Sequence, residues 1–80
     1  MRTANAVAIR LQKLLSERDM SQYALCKKVA IDPSNLYNIF YGRCKTVTLD
    51  KLYLLAEGLD MTVQEFLTDP IFDKTNIEAD

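Results

Sequence analysis

Eighty residues, 49% of them hydrophobic, make one small domain, and a chain of this size buries only about 60 to 65% of the surface its unfolded form exposes. A net charge of -1 gives no overall attraction to a polyanion, and no apolar run approaches the roughly 18 residues of a membrane span. The opening stretch MRTANAVAIR lacks the charge, apolar core and cleavage site of a signal peptide, so the expected location is cytoplasmic.

The first segment places Val7, Leu11, Leu14 and Leu15 on one helical stripe, among Arg10, Gln12, Lys13 and Glu17. That pattern predicts an amphipathic helix from about Asn5 to Arg18. Ser21 then suits an N-cap, and Met20 before it can staple onto Leu25, with Leu25, Val29 and Cys26 facing inward along a short second helix. Only Ala30 and Ile31 connect it to Asp32, a second N-cap, and to Pro33, whose missing N–H costs nothing at a first helical position. Ile31 and Leu36 repeat the staple. Gly42 suits a left-handed stop, and the polar stretch RCKTVT leads to Thr48, cap of a fourth helix with Leu52, Leu55, Ala56 and Leu59 inward. Met61, Thr62, Glu65 and Phe66 then supply a staple and a capping box for a short fifth helix that stops by Pro70.

No segment alternates as a strand would, so the expected fold is all-α, a compact five-helix bundle. Residues 1–69 form the domain, and residues 70–80 form a polar, acidic tail that frays or meets a second subunit. Ile71 and Phe72 stand out in it as apolar residues expected to fold back onto a core or to meet a partner. Cys26 and Cys44, with no histidine in the chain, are too few to hold a metal. In the absence of an export signal they are expected to be free thiols rather than a bridge. No cofactor is implied.

The modest net charge conceals a division along the chain. Residues 1–51 hold nine basic side chains against four acidic ones, whereas residues 52–80 hold one basic and seven acidic. A solvated surface can carry such an imbalance by chance, but it also fits a charged partner on one side.

Two helices joined by a short turn, the second opening with the small polar residues Pro33, Ser34 and Asn35, match a helix-turn-helix over residues 21–42. In that motif the second helix enters the DNA major groove by its N-terminal end. The stretches SQYALCKKVAIDPSNLYNIFYGR and TLDKLYLLAEGLDMTVQEFL resemble the Cro and phage-repressor type, or XRE family, of DNA-binding domains. The resemblance spans about residues 9–67, with Gln22, Leu25, Ile39, Gly42, Leu52, Ala56 and Leu59 in register.

The resemblance implies a sequence-specific binder of double-stranded DNA that regulates transcription as a repressor, and the limited contact of one module this size implies a homodimer. Gln22 matches a position that grips a phosphate and braces the recognition helix; otherwise it is an ordinary first-turn glutamine. Pro33, Ser34 and Asn38 match positions that face base edges, where serine pairs with several bases, asparagine with adenine, and proline touches a thymine methyl. Asn35 and Tyr37 flank that face and reach bases or backbone. Ser34 and Asn35 also suit a helix first turn for its own sake, which explains Asn38 poorly. Tyr41, Arg43 and Lys45 follow the helix where the family contacts phosphate, unless the loop is simply a solvated basic one. Lys27 joins the phosphate set, and Lys28 adds long-range attraction.

The chain departs from the family pattern at three places. A buried arginine and glutamate common in the family are replaced by Leu15 and Phe40, which are expected to sit close in the core, since exchanging both members of a buried ion pair for apolar residues is tolerated where losing one is not. Ala30 replaces a turn glycine, so a left-handed alanine strained by about 1 kcal/mol is expected, relieved in an Ala30→Gly variant. Asp60 also replaces a glycine, and aspartate accepts a left-handed turn more readily.

Other classes fit less well. An enzyme lacks a histidine base and a Gly-rich phosphate loop, and its acidic residues are accounted for by capping. Cys44 between Arg43 and Lys45 is expected to be a plain exposed thiol ahead of a redox sensor. The rival reading is a protein-binding adaptor or antirepressor that keeps the fold without binding DNA. The gathering of positive charge around the first three helices speaks against it.

Overall fold

The computed structural model describes residues 1–78. Helix α1, Thr3–Glu17, begins two residues ahead of the stripe read from the sequence, because Ala4, Ala6 and Ala8 extend its buried face. Alanine is the strongest helix former and adds no side-chain entropy cost. At its end Met20 N–H bonds the Leu15 carbonyl at 2.9 Å and Asp19 N–H bonds that of Ser16 at 3.2 Å, around Asp19 at φ 52°. This is a Schellman closure, and nothing in the stretch ERDMS marks it as one.

Helix α2, Gln22–Lys28, is capped by Ser21, whose hydroxyl oxygen accepts from Ala24 N–H at 3.0 Å. The chain leaves it through Val29 in an extended conformation, φ -124° and ψ 153°. Among the described residues only Asp19 and Asp60 are non-glycines with positive φ, so Ala30 is not left-handed and carries none of the expected strain. The extended Val29 makes the turn instead. Ala30→Gly is therefore expected to lower stability by about 0.4 to 1 kcal/mol through added freedom of the unfolded chain, as a shift in the midpoint of urea denaturation.

Helix α3, Pro33–Phe40, buries Leu36 and Ile39. Helix α4, Leu49–Gly58, is capped by Thr48, which accepts from Lys51 N–H at 3.3 Å. Its end repeats the closure of α1: Met61 N–H reaches the Ala56 carbonyl at 3.0 Å around Asp60 at φ 55°, the left-handed aspartate expected there. Helix α5, Val63–Phe66, starts on the expected capping box, with Thr62 accepting from Glu65 N–H at 3.0 Å and Glu65 accepting from Thr62 N–H at 2.8 Å. Met20 and Met61 each follow one closure, precede the next cap and pack on the core. One apolar side chain thus ends one helix and starts another.

The core cluster runs from Val7, Leu11, Leu14 and Leu15 through Leu25, Ile31, Leu36 and Ile39 to Leu55, Leu59 and Phe66. Leu15 is buried and Phe40 half-buried. Both line one cavity with Gln12 and Met20, and Gln12 Nε2 donates to the Phe40 carbonyl at 2.6 Å. Leu15 and Phe40 therefore border one surface depression, with Phe40 at the edge of the core rather than inside it. Gly58 lets α4 approach α2 closely: a Cβ there would lie 2.3 Å from Val29 Cγ1.

A single 3₁₀ turn, Pro70–Phe72, follows α5. Phe72 packs its ring 6.1 Å from that of Phe66, so this tail residue is engaged within its own chain. Asp69 accepts from Ile71 N–H at 2.9 Å and pairs with Arg10 at 3.3 Å and Lys13 at 3.1 Å. These contacts, the Ile71 amide first, hold its carboxyl below the ordinary aspartate range. Beyond it, where the sequence predicts fraying, Asn76 Nδ2 donates to the Pro70 carbonyl at 2.9 Å. The Met1 ammonium donates to the Asn76 carbonyl at 2.7 Å, and Glu78 N–H bonds the Met1 carbonyl at 2.8 Å. Among the described residues no helix is long and apolar enough to cross a membrane.

Candidate nucleic-acid interface

The outward face of α3 follows from its inward one. With Leu36 and Ile39 buried, the 3.6-residue period turns Pro33, Ser34, Asn35 and Tyr37 to solvent and leaves Asn38 half-buried at the edge. The first turn is locked by Asp32, whose carboxylate accepts from Ser34 N–H at 3.2 Å and from the Ser34 hydroxyl. Those bonds, the hydroxyl's first, hold the Asp32 carboxyl below its ordinary range.

The other end of α3 fixes Arg43. Gly42 takes φ 67°, its N–H bonds the Ile39 carbonyl at 3.1 Å, and Arg43 N–H bonds that of Asn38 at 2.8 Å. This is the third closure of the same kind, and here the residue that follows is not a methionine bound for the core. Arg43 lies instead with its guanidinium 5.3 Å from the Tyr37 ring and 5.9 Å from the Tyr41 ring, the two rings being 4.7 Å apart. The stack orders a long side chain while leaving its planar edge of N–H donors available, the geometry in which arginine meets phosphate. Tyr37, expected at bases or backbone, and Tyr41, expected at phosphate, form one shelf under Arg43.

Gln22, half-buried on the first turn of α2, lines a mostly apolar depression with Tyr23, Cys26, Lys27, Pro33 and Tyr37. Four of the residues singled out in the sequence therefore meet at the seam of α2 and α3. Tyr23 was missed there: it is 70% exposed and supports the Lys27 ammonium 4.6 Å from its ring centre. Its only sequence signal is the spacing of four to Lys27, common on any helix surface. Lys45 and Lys28 are exposed, and Ser34, Asn35 and Lys45 lie outside the depression. Cys26 and Cys44 are free and half-buried, so Cys44 is less open than a loop thiol was expected to be.

The charge division also changes meaning. Arg10 and Lys13 pair with Asp69, Arg10 further donates to the Phe66 carbonyl at 2.8 Å, and Arg18 donates to the Leu59 carbonyl. These basic residues, two in the first helix and one at its C-cap, fasten it to the acidic half. Among the described residues Lys27, Lys28, Arg43 and Lys45 have no carboxylate partner, and they frame the motif.

No curated protein matches the sequence. A family model does: that of the Cro/C1-type HTH DNA-binding domain matches residues 10–70, from the first helix to the proline after α5. With that match over an all-α fold and a motif framed by unpaired positive charge, the chain belongs to the Cro/C1-type helix-turn-helix DNA-binding domains.

Proposed function

We propose that the protein is a sequence-specific regulator of transcription, a repressor, that binds duplex DNA as a homodimer and reads the major groove with α3. The observation that carries this reading is the placement of Arg43 on the Tyr37–Tyr41 shelf. Two of the three helix closures send a methionine into the core, and the one at the end of α3 holds a cation outside it. Pro33, Ser34, Asn35 and Asn38 read base edges, while Gln22, Lys27, Tyr41, Arg43 and Lys45 hold phosphates on either side. One such module makes limited contact, and two copies on half-sites about 34 Å apart supply useful affinity.

Arg43→Ala is expected to weaken binding to all sequences alike and to reduce the slope of log affinity against log salt by about 1. Asn38→Ala is expected to relax the preference at one base pair by about 1 to 3 kcal/mol. Titrations against matched and mismatched duplexes at several salt concentrations separate the two. The overall test is selection of the purified protein on a random duplex library at physiological salt. Enrichment of a two-fold symmetric site is the expected result, and no enrichment would put the protein-binding adaptor ahead.

A further inference from the structure

A helix start favours a carboxylate through its dipole, but serine and asparagine cap as well as Asp32 does without placing an anion beside DNA. Asp32 is exposed at the start of α3, next to Pro33 and Ser34, and its carboxylate takes both the Ser34 N–H and the Ser34 hydroxyl proton. A serine hydroxyl has one proton to give, and here it is given inward. What the pair shows outward is lone pairs only, two on the hydroxyl oxygen and the remainder of roughly four on the carboxylate.

An acceptor-only pair discriminates among bases in the major groove. Guanine presents the acceptors N7 and O6, thymine the acceptor O4, and adenine an N6 donor beside the acceptor N7. Within a base pair the adenine donor lies between two acceptors, its own N7 and the thymine O4, whereas the cytosine N4 donor has an acceptor, the guanine O6, on one side only and a C–H on the other. We propose that Asp32, paired with Ser34, is a specificity-determining residue that selects cytosine at one base pair of each half-site, an inference that rests on α3 being the base-reading helix. Ser34 accordingly is not the adaptable donor or acceptor that a free serine would be. The same carboxylate repels phosphates, so it weakens binding to other sequences while admitting its own.

The test uses the full chain as wild type, Asp32→Asn and Asp32→Ser, each selected on a random duplex library at physiological salt. Both variants keep a capping side chain, and circular dichroism with thermal unfolding checks that each is folded. The expected result is a wild-type site with one fixed cytosine per half-site, at which exchange of the base pair weakens binding roughly tenfold. Both variants are expected to lose that preference alone, keep the rest of the site and bind unrelated duplex several-fold more tightly. Variants that select the wild-type site unchanged, or a wild-type preference at the affected position for a base other than cytosine, would overturn the role of Asp32. A wild type that enriches no sequence would instead overturn the base-reading role of α3 and this inference with it.

Discussion

Phe66→Ala is expected to lower stability by about 3 to 5 kcal/mol, the cost of removing a large aromatic side chain from a packed core. Phe66 is fully buried in the central cluster, with Phe72 on one side and the Arg10 guanidinium 5.9 Å from its ring centre. Helix α5 has four residues, far too few to persist by helix propensity alone. Its capping box sets where it starts, and the burial of Phe66 holds it in place. The same residue's carbonyl receives Arg10 Nε, so loss of the ring loosens the anchor of α1 on the acidic half. A domain of this size has a total stability of roughly 4 to 12 kcal/mol, and each kcal/mol moves its melting temperature by about 4 to 8 °C. Thermal unfolding should therefore show a fall of about 15 to 30 °C. The variant still folded at low temperature should select the wild-type DNA site, because Phe66 contributes nothing to the face of α3. A fall of only a few degrees would mean that α5 and the 3₁₀ turn contribute little to the core.

Gly58→Val is expected to cost about 3 kcal/mol, against the usual sign for glycine inside a helix. Replacing a helical glycine ordinarily gains up to about 1 kcal/mol. Here the first atom added meets Val29 Cγ1 at 2.3 Å and Leu25 Cδ1 at 2.8 Å. Neither neighbour yields easily: Val29 is β-branched and carries the extended turn into α3, and Leu25 is fully buried. Overpacking of this kind costs about 1 to 3 kcal/mol, and the valine branch adds to it. Gly58→Ala should be milder, a net loss of about 1 to 2 kcal/mol. In both variants α2 is pushed from α4, and Gln22 and Lys27 move with it relative to Pro33 and Tyr37. DNA binding should then weaken beyond what the unfolded fraction explains. Urea denaturation paired with titration of the selected duplex measures both effects, and a stability gain in Gly58→Ala would contradict the closeness of the two helices.

What could be read from the sequence was local. Ser21, Asp32, Thr48 and Thr62 cap the helices assigned to them because a cap is settled within three residues, and Gly42 and Asp60 stop helices by their own backbone tolerance. Asp19 does the same unnoticed, since no glycine or asparagine marks the place. Ala30 was misread by carrying a glycine's conformation to a chain that turns through Val29. The bonds of Arg10 and Lys13 to Asp69 span more than fifty residues, and no periodicity reports on contacts of that range. At the candidate site, the exposed face of α3 and the basic residues flanking it were legible. The shelf under Arg43 and the commitment of the Ser34 proton to Asp32 were not, because both depend on which of several partners a side chain chooses.

The bonds between Met1 and residues 76 and 78 hold two described stretches, 75 residues apart in sequence, at one narrow gap. A short covalent bridge across that gap would remove conformational freedom from the unfolded chain while asking little movement of the folded one. The molecule could in this way be stiffened from behind, with every side chain on the exposed face of α3 left as it is.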